Sequence, residues 1–192
     1  MITIGLTGGI GSGKSYVAQI LQGEFQIPVY DSDTRAKALM LTDAIRKPLI
    51  ETFGPDTYLP DGALNRNYIA QLVFQNPDKL AQLNAIVHPI VRVDRDTWFA
   101  EQAHNGHRYC VQEAAILIES GAYTTLDCIW TVYAPLHIRI QRAMQRDQLP
   151  ESAIVARIQN QITDLDRFKH SNIVIHNYNE ISILEQLKII LQ

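Results

Sequence analysis

The stretch that most constrains this chain is Gly8-Gly9-Ile10-Gly11-Ser12-Gly13-Lys14-Ser15, which has the spacing G-x-x-x-x-G-K-[ST]. It follows directly on Ile2, Ile4 and Leu6, whose alternation reads as a β-strand. Helical periodicity takes over from about Lys14 to Glu24. A glycine-rich turn placed between a strand and a helix is built to hold phosphate. Glycines let the backbone curl so that successive N–H groups face phosphate oxygens, and the helix adds the positive end of its dipole. In this pattern Lys14 reaches the β- and γ-phosphates, the Ser15 hydroxyl holds Mg²⁺, and the Tyr16 amide serves a phosphate whatever its side chain. The motif sets the cosubstrate class, a nucleoside triphosphate, and leaves the acceptor open.

The remaining pattern fits an α/β fold. A second strand is expected over 27–30, ending at Asp31, and helical patterns fill 34–53. A turn-rich stretch follows at 54–62, then helical periodicity to about 102, with Leu80, Leu83, Ile86, Val87 and Ile90 on one apolar face. Pro89 is expected to bend or end a helix near His88. Strand patterns return at 109–117, 128–133 and 172–175, and an amphipathic helix closes the chain over 181–191. Strands separated by helices predict a five-stranded parallel sheet covered on both faces. The block at about 62–102 is too long for a simple crossover and reads as a helical insertion.

Composition narrows the classes further. The chain has 192 residues, 46% of them hydrophobic, which is enough for one domain with a real core. With 17 basic and 20 acidic residues, a net charge of −3 and a pI near 6.0, bulk charge does not attract nucleic acid. The longest uninterrupted apolar stretch runs from Ala114 to Ile118, too short for a membrane helix. The opening MITIGLTGG lacks the basic region of a signal peptide. Cys110 and Cys128 lie in apolar runs without metal-ligand spacing and read as reduced core thiols of a cytoplasmic protein. Oligomeric state is not readable from the sequence.

Two carboxylates, Asp31 and Asp33, fall where the second strand gives way to a helix. Ligands of open α/β sheets gather beyond these strand ends. There a carboxylate accepts the acceptor hydroxyl's proton, while Asp and Ser before Thr34 equally suit a helix N-cap. Glu113, on the expected third strand, has two readings. It binds Mg²⁺ through water, or it is a strand-end residue facing solvent. Arg139, Arg142 and Arg146 recur at i, i+3 and i+7 and form one helical stripe, with Leu136, Ile140 and Ala143 as the packing stripe. Guanidinium groups suit the charge that phosphoryl transfer spreads over equatorial oxygens. Such a stripe of charge equally reads as a solvated helix face.

Six segments then come in order: LTGGIGSGKS at 6–15, DSD at 31–33, GALNR at 62–66, LNAIVHPIVR at 83–92, ILIESG at 116–121 and QRAMQRD at 141–147. Over nearly the whole chain this resembles the dephospho-CoA kinase family. The resemblance implies a nucleotide-kinase-like P-loop fold with a five-stranded core, a helical acceptor-binding insertion and a mobile lid at about 139–167 that carries the arginines and excludes water. It implies transfer of the ATP γ-phosphoryl group to the ribose 3′-hydroxyl of dephospho-CoA, with Mg²⁺. It makes Asp33 the general base, with Asp31 assisting Mg²⁺-bound water or acceptor positioning, and Arg142 the catalytic arginine. Arg66, His88 and Glu119 become acceptor contacts. Arg146 pairs with an acid such as Asp147, Arg139 lies on the surface, and Arg157 and Gln161 match lid-flanking positions. The chain differs from the family pattern at Lys37, where arginine is usual, at Ala115, and at Ser171-Asn172. Rival readings are another small-molecule kinase of the same fold and a nucleotide-dependent switch; the guanine-reading motif N-K-x-D of such switches is missing.

Overall fold

Ile4 and Leu6 are wholly buried because their strand, β1 (Ile2–Gly8), runs through the middle of the sheet. A computed structural model describes residues 1–74, 76–179 and 181–192. Around β1 stand β2 (Val29–Asp31), β3 (Tyr109–Glu113), β4 (Cys128–Tyr133) and β5 (Ile173–His176) in the order β2-β3-β1-β4-β5. Every pairing within this sheet is parallel, with Leu6 opposite both Glu113 and Trp130. Parallel strands need covering on both faces, and β1, β3 and β4 are accordingly buried along most of their length. Val17, Ala18 and Leu21 of α1 (Lys14–Glu24) and Ile183 and Leu187 of α9 (Ile183–Ile190) supply part of that cover.

The third strand ends at Glu113, not at Leu117 as its apolar run suggests. The Ala114 amide still donates to Leu6, but the chain then turns. Leu117 is fully buried all the same, packing with Ala114 and Ile129. Apolar character there reflects a buried turn, which a short run cannot distinguish from strand.

The chain divides into two compact units, Met1–Asp31 with Gln102–Gln192, and Ser32–Glu101. The first holds the sheet, α1, α6 (Leu136–Asp147), α7 (Glu151–Gln159), α8 (Asp164–Lys169) and α9. The second is helical: α2 (Ser32–Leu39), α3 (Asp43–Phe53), a 3₁₀ turn at Pro55–Thr57, α4 (Arg66–Phe74) and most of α5 (Pro77–His104). It therefore begins thirty residues ahead of the block expected from periodicity. Ile45, Leu49 and Phe53 form one face of α3 and share a core with Ile69, Leu83 and Val87. That common core binds α3 to the later helices.

The helical patterns of 34–53 resolve into α2 and α3, and the chain breaks between them, where the Met40 and Thr42 amides turn back to Ala36 and Leu39. Pro89, conversely, does not end α5. An interior proline costs ~3 kcal/mol or more. Leu83 and Val87 before it and Ile90 and Val91 after it pack into the same core, and that burial outweighs the lost bond.

Candidate active site

The phosphate loop occupies the C-terminal end of β1, the central strand of the sheet. Its glycines are required by close approach. Gly11 has φ +77°, and a Cβ there would lie 2.2 Å from the Arg139 carbonyl oxygen. Gly13 has φ +91°, and a Cβ there would lie 2.0 Å from Asn177 Nδ2. The loop is tied from outside its own segment. Gln161 Oε1 accepts the Ile10 amide at 2.8 Å, and Asn177 Nδ2 donates to the Ser12 carbonyl at 2.7 Å. A helix start leaves amides without intrahelical partners. Here the Tyr16 and Val17 amides both donate to the Gly13 carbonyl and close the first turn. Its side chain is 56% exposed. The amides of Lys14 and Ser15 begin α1 at the loop.

Lys14 Nζ and Ser15 Oγ both donate to Glu113 Oε1, at 2.6 and 2.8 Å. Glu113 is 7% exposed, which excludes the solvent-facing reading. Burial is tolerable because the lysine neutralises it. Asp31 stands opposite Glu113 in the β2–β3 register, so two carboxylates finish adjacent strands. The serine hydroxyl and the Glu113 carboxylate offer the hard oxygen donors that Mg²⁺ takes, and the set fits that ion.

The three arginines of α6 do not share one environment. Arg142 is half-buried; its Nη1 donates to the Asn177 carbonyl at 3.0 Å and would lie 3.9 Å from a Cβ on Gly13. Arg146 is exposed and pairs with Asp147, which also takes Arg157 at 3.0 Å. Those guanidinium groups, Arg146 first, hold the Asp147 carboxyl below its ordinary range. Arg139, expected at the surface, is 4% exposed and donates to Asp164 at 2.9 Å. It shares the inward face of α6 with Ala143, while Leu136, assigned to the packing stripe, is 51% exposed. Glu119 takes the Ile162 amide at 3.4 Å and lies 3.9 Å from Arg167, which is 1% exposed. Burial lowers the Arg167 pKa, and Asp164 and Glu119 oppose that.

In the helical unit, α2 starts at Ser32, so Asp33 sits in its first turn. Asn65 accepts the Tyr68 amide and donates to the Asp56 carbonyl, which anchors the start of α4 and leaves Arg66 exposed at its first position. His88 is half-buried in the middle of α5, and burial, with Arg92 nearby, pushes its pKa down.

Three residues of the phosphate-loop surroundings had no strong signal in the sequence. Asn177 was detectable only as an asparagine ending the last strand. Asp164 carried no signal, and Arg139 stood in the arginine stripe with nothing to mark it as buried, because their partnership spans separate helices.

The dephospho-CoA kinase family model matches residues 2–182. A dephospho-CoA kinase of Bacteroides fragilis is 38% identical over 191 residues, covering 97% of this chain and 89% of its own. The chain belongs to the dephospho-CoA kinase family. A crystal structure of TT1252 from Thermus thermophilus superposes with a TM-score of 0.85 at 34% identity, covering 99% of this chain and 96% of that one. A dephospho-CoA kinase of Campylobacter jejuni shares the fold, with a TM-score of 0.71 at 24% identity over 98% of this chain and 95% of that one. This member of the dephospho-CoA kinase family therefore has a P-loop kinase fold. Its departures from the family pattern are absorbed locally. Arg35, two residues before Lys37, grips Asp94 of α5 with its fork, Nε lying 2.9 Å away. Asn172 exchanges bonds with the Ile129 backbone, and the Ser171 hydroxyl meets Thr131 at 2.6 Å, so together they dock β5 on β4.

Proposed function

We propose that the chain transfers the γ-phosphoryl group of ATP to the ribose 3′-hydroxyl of dephospho-CoA. The observation that carries the phosphate half is the shared grip of Lys14 and Ser15 on Glu113 at the loop. With ATP bound, its β- and γ-phosphates replace Glu113 as the partner of Lys14, and Ser15 and Glu113 would hold Mg²⁺, Glu113 through water. Mg²⁺, once bound, offsets the charge of the β- and γ-oxygens. Arg142 supplies guanidinium hydrogen bonds to the transferring group as charge spreads over it. Asp33 accepts the 3′-hydroxyl proton and orients that oxygen, and Asp31 helps position the acceptor.

Arg66, His88 and Glu119 act as acceptor contacts. The depressed pKa keeps His88 neutral at pH 7, as a hydrogen-bonding group. Residues 139–167 act as the lid that shields ATP from water. The chain works in the cytoplasm; none of its described helices is long and apolar enough to cross a membrane. The test is ATP consumption by purified protein with dephospho-CoA, AMP, adenosine or shikimate in turn. Turnover is expected with dephospho-CoA alone, and preference for another acceptor overturns the assignment.

A further inference from the structure

Arg139 touches the phosphate loop at two places. A Cβ on Gly9 would lie 2.0 Å from its Nη1, and a Cβ on Gly11 would lie 2.2 Å from its carbonyl oxygen. Its guanidinium is held by Asp164, whose Oδ1 takes Arg139 Nη1 and Arg167 Nη1, each at 2.9 Å. Asp164 opens α8 three residues after Gln161, which accepts the Ile10 amide. One short segment thus holds the loop twice, directly at Ile10 and, through the Arg139 guanidinium, at Gly9, while Gly11 meets the Arg139 main chain. Beside the pair lies a cavity of about 380 Å³, so tight packing does not fix the arginine on that side. The ion pair does.

We propose that Arg139 is a positioning residue for triphosphate binding, acting through its ion pair with Asp164 to set the curl of the phosphate loop. This rests on the phosphate-loop reading above. Two arginines, Arg139 and Arg167, face two carboxylates, Asp164 and Glu119, so the group is formally neutral. Its action on the loop is one of geometry and not of field. A buried ion pair stabilises a fold no better than well-packed apolar residues of similar volume. What apolar residues lack is the directional bond that places the guanidinium against Gly9.

The geometry and field readings differ in sign at Asp164. If Arg139 acted by its charge on the phosphates, Asp164→Asn would free that charge and tighten ATP binding. If it acts through the pair, Asp164→Asn weakens ATP binding in the same direction as Arg139→Met. The experiment is equilibrium binding of MgATP to the full chain without acceptor, alongside steady-state kinetics and thermal melting. For both variants we expect the Kd for ATP to rise roughly 5- to 30-fold, the range of a broken buried coupling. The KM for dephospho-CoA should stay put and kcat should fall less than ATP affinity. The double variant should be no weaker than the worse single one, and Arg139→Lys should recover part of the loss.

Tighter ATP binding by Asp164→Asn, or wild-type binding by Arg139→Met, overturns the proposal. So does a parallel fall in both substrates' affinities that tracks a loss of folded protein. Should Arg139→Met fail to fold, Asp164→Asn and Arg139→Lys carry the same comparison. A wild-type chain that does not bind ATP refutes the phosphate-loop reading itself. Wild-type binding with unaltered variants refutes only the role of Arg139.

Discussion

At Asp33 two roles compete for one carboxylate. It lies in the first turn of α2, where an acid facing the positive end of the helix stabilises it by about 0.3–1 kcal/mol. If it takes the acceptor's proton, as proposed, Asp33→Asn should lower kcat by about 10² to 10⁴ while both substrates still bind. A purely helix-stabilising Asp33 predicts near wild-type turnover with a small drop in melting temperature. Asp31→Asn is the control and should cost less; a dead Asp31→Asn beside an active Asp33→Asn would reverse the assignment. Arg142 allows a second test of chemistry against binding. Lysine keeps the charge but loses the planar fork. Arg142→Lys should cut kcat strongly with little change in ATP affinity. A change confined to KM would make Arg142 a ground-state contact.

Among the elements, α5 shows how packing overrides local preference. It continues through Pro89 because its flanks on both sides of the proline are buried, and it therefore carries His88 at mid-helix, where solvent is scarce. The lowered His88 pKa has a definite consequence for stability. Between the folded value and the ordinary 6.5, the unfolded chain binds a proton at His88 that the native chain does not. Stability therefore rises with pH through that window, is fully present above 6.5, and is lost as pH falls through it. His88→Gln removes the titration, so its melting temperature should fall less than the wild type's between pH 7.5 and 5.5. Parallel pH profiles would show that His88 titrates as it does in the unfolded chain.

For the whole molecule, Cys110 reports on unfolding. It is fully buried in the sheet, and burial pushes its thiol up to about 12, so the native form presents almost no thiolate. Ellman's reagent at pH 8 should label it only through opening of the sheet. MgATP at 100 times its Kd stabilises the native state by about 2.7 kcal/mol and should slow that labelling by about 100-fold. The same rate with and without nucleotide would mean that Cys110 is reached by a local opening that ATP does not oppose.

Much of this was legible in the sequence, for physical reasons. The glycine-lysine-serine spacing from Gly8 to Ser15, the alternation of β1, the helix after it and the parallel α/β class all depend on neighbours in the chain or on simple periodicity. So did the family resemblance carried by its ordered motifs. What only the tertiary structure decided depends on partners far apart in sequence. Gln161 reaches Ile10 across 151 residues, Asn177 reaches Ser12 across 165, and Asp164 reaches Arg139 across 25. A stripe at i, i+3 and i+7 says which residues neighbour one another on a helix, but not what covers each. Arg139 was therefore read as exposed and is buried, while Arg146 beside the same stripe is exposed. The beginning of the helical unit at Ser32 and the end of β3 at Glu113 have the same cause: both are set by which surfaces share a core, and no local pattern carries that information.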